Sequence, residues 1–179
     1  PTMGLMNVFG TEDTNLTFTA ADFASQFGDV DGDQLTSITV VTLPSGGTLR
    51  LSGVAVDANQ VIPVAELASL AFEPAADFNG EVSFTFTASD GTNDSEVATA
   101  TIDIAAVDDA PVVTVPASMM GDEDTAISLT GLSIADPDFD DLSLYFAVDH
   151  GTLTADGSAA NGALNITGNG TSSMALSGT

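Results

Sequence analysis

Residues Gly10–Thr19 read GTEDTNLTFT, and residues Gly121–Thr130 read GDEDTAISLT. Laid over one another at an offset of 111 residues, they share Gly, Glu, Asp and Thr together with the alternating apolar positions. Working outward, and allowing a gap of four residues, DVDGDQLTS from Asp29 lies over DPDFDDLSL from Asp136, with three Asp in register. Gly47-Thr48-Leu49 then lies over Gly151-Thr152-Leu153. Self-similarity at a fixed long period is the signature of a module used more than once. The chain therefore divides at Val107-Asp108-Asp109-Ala110-Pro111 into residues 1–110, one complete repeat, and residues 111–179, the beginning of a second.

The module's fold follows from its dominant period of two. Val82, Phe84, Phe86 and Ala88 alternate with Ser and Thr, Ala98, Ala100, Ile102 and Ile104 alternate with Thr and Asp, and Leu16, Phe18 and Ala20 alternate with Thr. Such alternation marks half-buried antiparallel strands. Shorter strands are expected at Leu35–Val41, Thr48–Leu51, Gly53–Val56 and Leu70–Phe72, separated by turn clusters such as Pro44-Ser45-Gly46-Gly47 and Asp90-Gly91-Thr92-Asn93. About seven strands per repeat is the spacing of a β-sandwich. One helical stretch of about two turns is expected at Val64–Leu70.

Composition narrows the function. The chain has 179 residues, 44% of them hydrophobic, with Asp+Glu 26 against Lys+Arg 1 and a net charge of −25. Such a surface repels nucleic-acid phosphates and anionic lipid, so neither is an expected partner. Twenty of the acids are Asp and six are Glu, which places the charge in turns, since Asp is a poor helix former. With no Cys, one His (His150) and one Arg (Arg50), there is little from which to assemble a nucleophile, a general base or an imidazole metal site, and no enzymatic activity is expected. No apolar run approaches the roughly 18 residues of a membrane span, and no leader is apparent, so a soluble chain is expected. His150 reads as a surface residue of a turn.

A surface this acidic calls for a hard cation. In extended backbone, Asp29-x-Asp31 and Asp136-x-Asp138 would project two carboxylates to the same side roughly 7 Å apart. Calcium takes six to eight oxygens in flexible geometry and accepts them from several loops. An EF-hand is excluded: counting from Asp29, loop positions six and twelve hold Gln34 and Val40, and from Asp136 they hold Asp141 and Ala147, instead of Gly and Glu.

The order of linker VDDAP, strand-leading GDEDT, then ADPD, with ASDG before the last strand, resembles cadherin repeats, and most of all the tandem cadherin-like modules of very large bacterial surface adhesins. The resemblance implies tandem all-β, Greek-key, seven-stranded sandwiches of cadherin-like and Ig-like type, the second one incomplete here. It implies calcium at the junctions between successive modules. Carried over by position, the junction within this chain would use Glu12, Asp77, Asp108, Asp109, Asp136 and Asp138, and an upper cluster of Asp29, Asp31 and Asp90 would serve a junction with a module upstream. The linker departs from the animal pattern, having Asp109 where that pattern has asparagine. Asp13, Asp33, Asp124 and Asp140 lie beside these positions and read equally as supporting or as solvated residues.

Three functions compete at this stage. The first is a non-catalytic extracellular spacer or adhesion module that calcium makes rigid, with neighbouring repeats and cell-surface ligands as partners. A calcium-dependent carbohydrate-binding module is the alternative; a hydrolase using paired Asp is the third and suits recurring turn motifs least. The triplets at Asn15, Asn93, Asn165 and Asn169 that match the glycosylation acceptor pattern read as coincidence. By comparison with the first repeat, the second lacks roughly fifty residues and two core strands. Either the polypeptide continues, or other copies donate strands and the molecules polymerise head to tail.

Overall fold

The computed structural model describes residues 1–116, 118–138, 141–155 and 164–178. It forms two compact units, Pro1–Val107 and Asp108–Thr179. In chain order the first holds β1 (Thr2–Met3), β2 (Met6–Thr11), β3 (Leu16–Thr17), α1 (Ala20–Ala24), β4 (Phe27–Gly28), β5 (Ser37–Thr42), β6 (Gly47–Leu51), β7 (Val54–Ala55), β8 (Val61–Pro63), a 3-10 helix (Val64–Ser69), β9 (Leu70–Pro74), β10 (Gly80–Ser89) and β11 (Ala98–Ala105). The second holds β12 (Val112–Thr114), β13 (Ser133–Ala135), β14 (Leu142–Ala147), β15 (Asn165–Thr167) and β16 (Ser173–Gly178).

The first unit is an all-β sandwich. One sheet runs β2-β11-β10-β5-β8 and the other β3-β9-β6-β7, so seven principal strands carry the sheets and the short β7 and β8 extend one edge of each. Strand β10 is the centre of the larger sheet because it satisfies two ladders, with β11 from Gly80↔Ile104 to Phe86↔Ala98 and with β5 across a register shift between Thr85 and Phe86. Its Val82, Phe84, Phe86 and Ala88 all point inward and are buried, as are Ala100, Ile102 and Ile104 of β11. Facing them, the smaller sheet contributes Leu49, Leu70 and Phe72. At Gly47 an added Cβ would overlap the Phe72 ring, so a glycine is required for β6 to approach β9 so closely.

Two elements were not legible as such. The expected Leu16–Ala20 strand ends at Thr17, and a helix begins at Ala20. The cause is a capping box: the Thr19 Oγ1 accepts from the Asp22 N–H at 3.3 Å, and the Asp22 carboxylate accepts from the Thr19 N–H at 2.6 Å. The helix seats Phe23 in the core, 5.4 Å from Phe86 and 5.9 Å from Phe18. The other element is β2, which pairs in parallel with β11 from Met6↔Ala100 to Thr11↔Ala105. The helical stretch after Pro63 forms as a 3-10 helix with Leu67 buried.

In the second unit β12 pairs with β13, and β14-β16-β15 form a separate sheet. Among the described residues its only buried hydrophobic side chain is Met174. Asp13 and Asp124 both adopt left-handed conformations, with φ of 58° and 60°, in the turns after Glu12 and Glu123. Short pairs also recur, β1 with β4 in one unit and β12 with β13 in the other. No helix among the described residues is long and apolar enough to cross a membrane.

Candidate metal centre

Two loops meet at one end of the first unit. The first leaves β4 and the second leaves β10, and Thr36 ties them together by donating both its N–H (2.8 Å) and its hydroxyl (2.9 Å) to the Ser89 carbonyl. In the first loop the Asp29 Oδ1 accepts the N–H of Asp31 at 2.8 Å and of Asp33 at 3.4 Å. In the second, the Asp90 Oδ1 accepts the N–H groups of Thr92 and Asn93 at 2.6 and 2.7 Å. Carboxylate oxygens of Asp29, Asp33 and Asp90 thereby come within 4.8 Å of one another. Two oxygens each about 2.4 Å from a shared calcium ion can be no more than about 4.8 Å apart, so the spacing and the all-oxygen donor set fit that ion.

Backbone hydrogen bonds favour the ionised forms of two of these carboxylates. The Asp31 N–H foremost, aided by the Asp33 N–H, holds Asp29 below its ordinary value of 3.8. Asp90 is held below 3.8 by the N–H groups of Asn93 and Thr92, against the upward push of desolvation and then of the Asp29 charge. A carboxylate with a depressed folded value adds stability that is complete above its unfolded value and is lost as the pH falls through the folded one. In calcium-free buffer, urea midpoints should therefore hold down to about pH 4 and decline below it. Replacing Asp29 and Asp90 with Asn should flatten that decline; an unchanged slope in the double variant would assign it to other carboxylates.

Of the upper set expected from sequence, Asp29 and Asp90 meet and Asp31 does not join them; Asp33 takes its place. The reason is local. The Asp29 side chain folds onto its own loop, and Gly32, at φ 86°, turns the chain so that Asp31 contributes its N–H to Asp29 and Asp33 offers a carboxylate. The extended geometry expected for Asp29-x-Asp31 is thus replaced by a side-chain-closed turn, and Asp136-x-Asp138 repeats it, with the Asp138 N–H 2.9 Å from the Asp136 Oδ1.

At the other end of the first unit, Glu12 is only 1% exposed. Its Oε1 accepts the Val107 N–H at 2.6 Å and its Oε2 the Asn79 amide at 3.5 Å, while its own N–H donates to the Ala105 carbonyl. Asp77, left-handed at φ 56°, brings a carboxylate oxygen within 4.8 Å of one from Asp13. Within the second unit, the Asp109 N–H donates to the Asp138 Oδ2 at 2.7 Å, and Asp108 is exposed. Asp140 lies outside the described residues. Sequence reasoning placed Asp13 and Asp33 beside the ligands; each does bring its carboxylate to a neighbour's. Because Glu12→Ala would leave the Val107 N–H without its acceptor, it should cost the first unit about 1–3 kcal/mol in chelator. Glu12→Gln keeps an acceptor and should recover most of that loss, as urea unfolding would show; equal losses for both variants would assign the effect to charge alone.

The family model for the cadherin-like domain matches residues 1–105, the span of the sandwich and of the Asp29, Asp33 and Asp90 cluster. The chain belongs to the cadherin-like domain family. Cadherin-like domains are typically extracellular and non-catalytic, serve as adhesion or structural modules, and usually bind calcium. None of the curated proteins matches this chain.

Proposed function

We propose that this chain is a calcium-stiffened, non-catalytic stretch of a large surface-attached or secreted bacterial adhesin, in which residues 1–110 are one repeat and residues 111–179 the start of the next. The observation that carries the reading is the approach of carboxylate oxygens of Asp29, Asp33 and Asp90, from two loops, to within 4.8 Å of one another. A net charge of −25 supports it, because splaying of the carboxylates in the free form gives ion binding its leverage over rigidity. Extracellular calcium modules bind at about 10⁻⁴ to 10⁻³ M. Filling would therefore follow export, in a medium richer in calcium than the cytosol. In this reading Glu12, Asp77, Asp108, Asp109, Asp136 and Asp138 serve the junction inside the chain, and Asp29, Asp33 and Asp90 serve a junction with a preceding module.

Calorimetric titration of the full chain with calcium chloride tests it. The expected result is a millimolar or tighter isotherm that loses at least one site when Asp29 and Asp90 are both replaced by Asn. Absence of heat at calcium concentrations several times 10⁻³ M would sink the reading.

A further inference from the structure

The structure separates the four Asn-x-Ser/Thr triplets of the chain. In Asn93-Asp94-Ser95 the serine is buried, and its hydroxyl accepts from the Ala88 N–H at 3.0 Å while donating to the Glu96 carbonyl at 2.8 Å. In Asn169-Gly170-Thr171 the Asn169 carboxamide is tied at both ends to the Ala155 backbone, each bond 3.1 Å, and the Thr171 hydroxyl donates to the Gly168 carbonyl at 2.7 Å. Asn165-Ile166-Thr167 lies wholly within β15, in register with β16. Asn15-Leu16-Thr17 differs from all three. Asn15 stands in the connection between β2 and β3, outside either strand, and Leu16 packs against the core, which leaves Asn15 and Thr17 exposed on either side of it. Neither of their side chains makes a hydrogen bond to another described residue.

Beside them runs an open groove lined by Phe9, Thr11, Asn15 and Thr17, with the Phe9 ring 73% exposed. The negative face of an aromatic ring attracts the C–H face of a sugar, and the hydroxyls around it suit the sugar's polar rim. We infer that Asn15 is the acceptor for an N-linked glycan whose first residue, an N-acetylated amino sugar, lies in this groove against Phe9. The donor is an oligosaccharide on a polyprenyl diphosphate. The Asn15 carboxamide nitrogen forms a bond to the anomeric carbon, the carbon–oxygen bond to the diphosphate breaks, and the polyprenyl diphosphate leaves with the bonding pair. The nitrogen gives up one proton to a base of the transferase, and nothing is oxidised or reduced. In the cell this rests on reading the chain as exported. Calcium titration and glycan transfer report on different residues, so either can fail alone.

The test uses a membrane oligosaccharyltransferase that modifies short peptides spanning each of the four triplets, supplied with its polyprenyl-diphosphate donor. The folded full chain replaces the peptides, and the products are mapped by mass spectrometry. Asn15 should carry the glycan and the other three asparagines should not, and Thr17→Ala should abolish transfer. A bare Asn15, or occupancy of Asn93 or Asn169 equal to that of Asn15, overturns the inference. Seating on the ring is read separately, by calorimetry of the glycosylated chain. The glycan should raise the melting midpoint of the first unit, and Phe9→Ala, still glycosylated at Asn15, should lose that rise. No rise in the unsubstituted chain, or a rise that survives Phe9→Ala, overturns the placement of the sugar against Phe9.

Discussion

Calcium at about one hundred times its Kd is expected to stabilise the first unit by about 2.7 kcal/mol, because the ion binds the folded form and has no preformed site in the unfolded one. For a unit of this size each kcal/mol moves the midpoint by about 4–8 °C, so the melting temperature should rise by about 10–20 °C. Chelator should reverse the shift, and Asp90→Asn should remove most of it, since that residue supplies the only carboxylate of the cluster from the loop after β10. Monovalent salt should narrow the gap between the calcium-loaded and free forms by screening repulsion in the free one. Differential scanning calorimetry in both buffers measures all of this. A shift that survives in Asp90→Asn undiminished would move the ion away from the Asp29, Asp33 and Asp90 cluster.

Phe84→Ala should have the largest effect of any single substitution and should ignore calcium. The ring is fully buried, meets Phe18 edge-on at 5.9 Å and 86°, and lies 5.8 Å from Phe86. Truncation removes the transfer free energy of the side chain and leaves a cavity between two sheets that cannot close independently, at a cost of about 3–5 kcal/mol. Against a typical domain stability of about 5–15 kcal/mol, this leaves a marginal unit. Urea unfolding should give the same loss with calcium and with chelator, which separates core from cation. A loss under about 1 kcal/mol would contradict the close packing of these three rings.

What could be read from sequence depended on whether a residue's surroundings were local. Strands β10 and β11 are legible because every second side chain is apolar and all of those but the half-buried Ala98 are buried. Strand β2 did not, since in MNVFGT the largest side chain, Phe9, faces outward at 73% exposure, and Met6 and Val8 make too short a pattern to stand out. Helix α1 hid in TFTAADFAS because alanine suits either period; the usable signal was Thr19 with Asp22 three residues on. At the metal centre the residue types and the two-residue spacing of the acids were legible. Which of them converge was not, because that depends on Asp29 folding onto its own backbone and on the left-handed Gly32, choices that no spacing encodes.

The parallel pairing of β2 with β11 has a mechanical consequence. Two parallel strands, one opening the sandwich and the other closing it, put the points where the chain arrives and leaves at opposite ends of the module. Tension along a tandem array would therefore pull β2 and β11 lengthwise past each other. The six registered residue pairs between Met6–Thr11 and Ala100–Ala105 would share that load at once, where a hairpin pulled from its open end would surrender its bonds one at a time. Resistance to force is a matter of the unfolding rate and not of equilibrium stability. In an array under flow or traction, this single edge of the larger sheet would set how long each module holds.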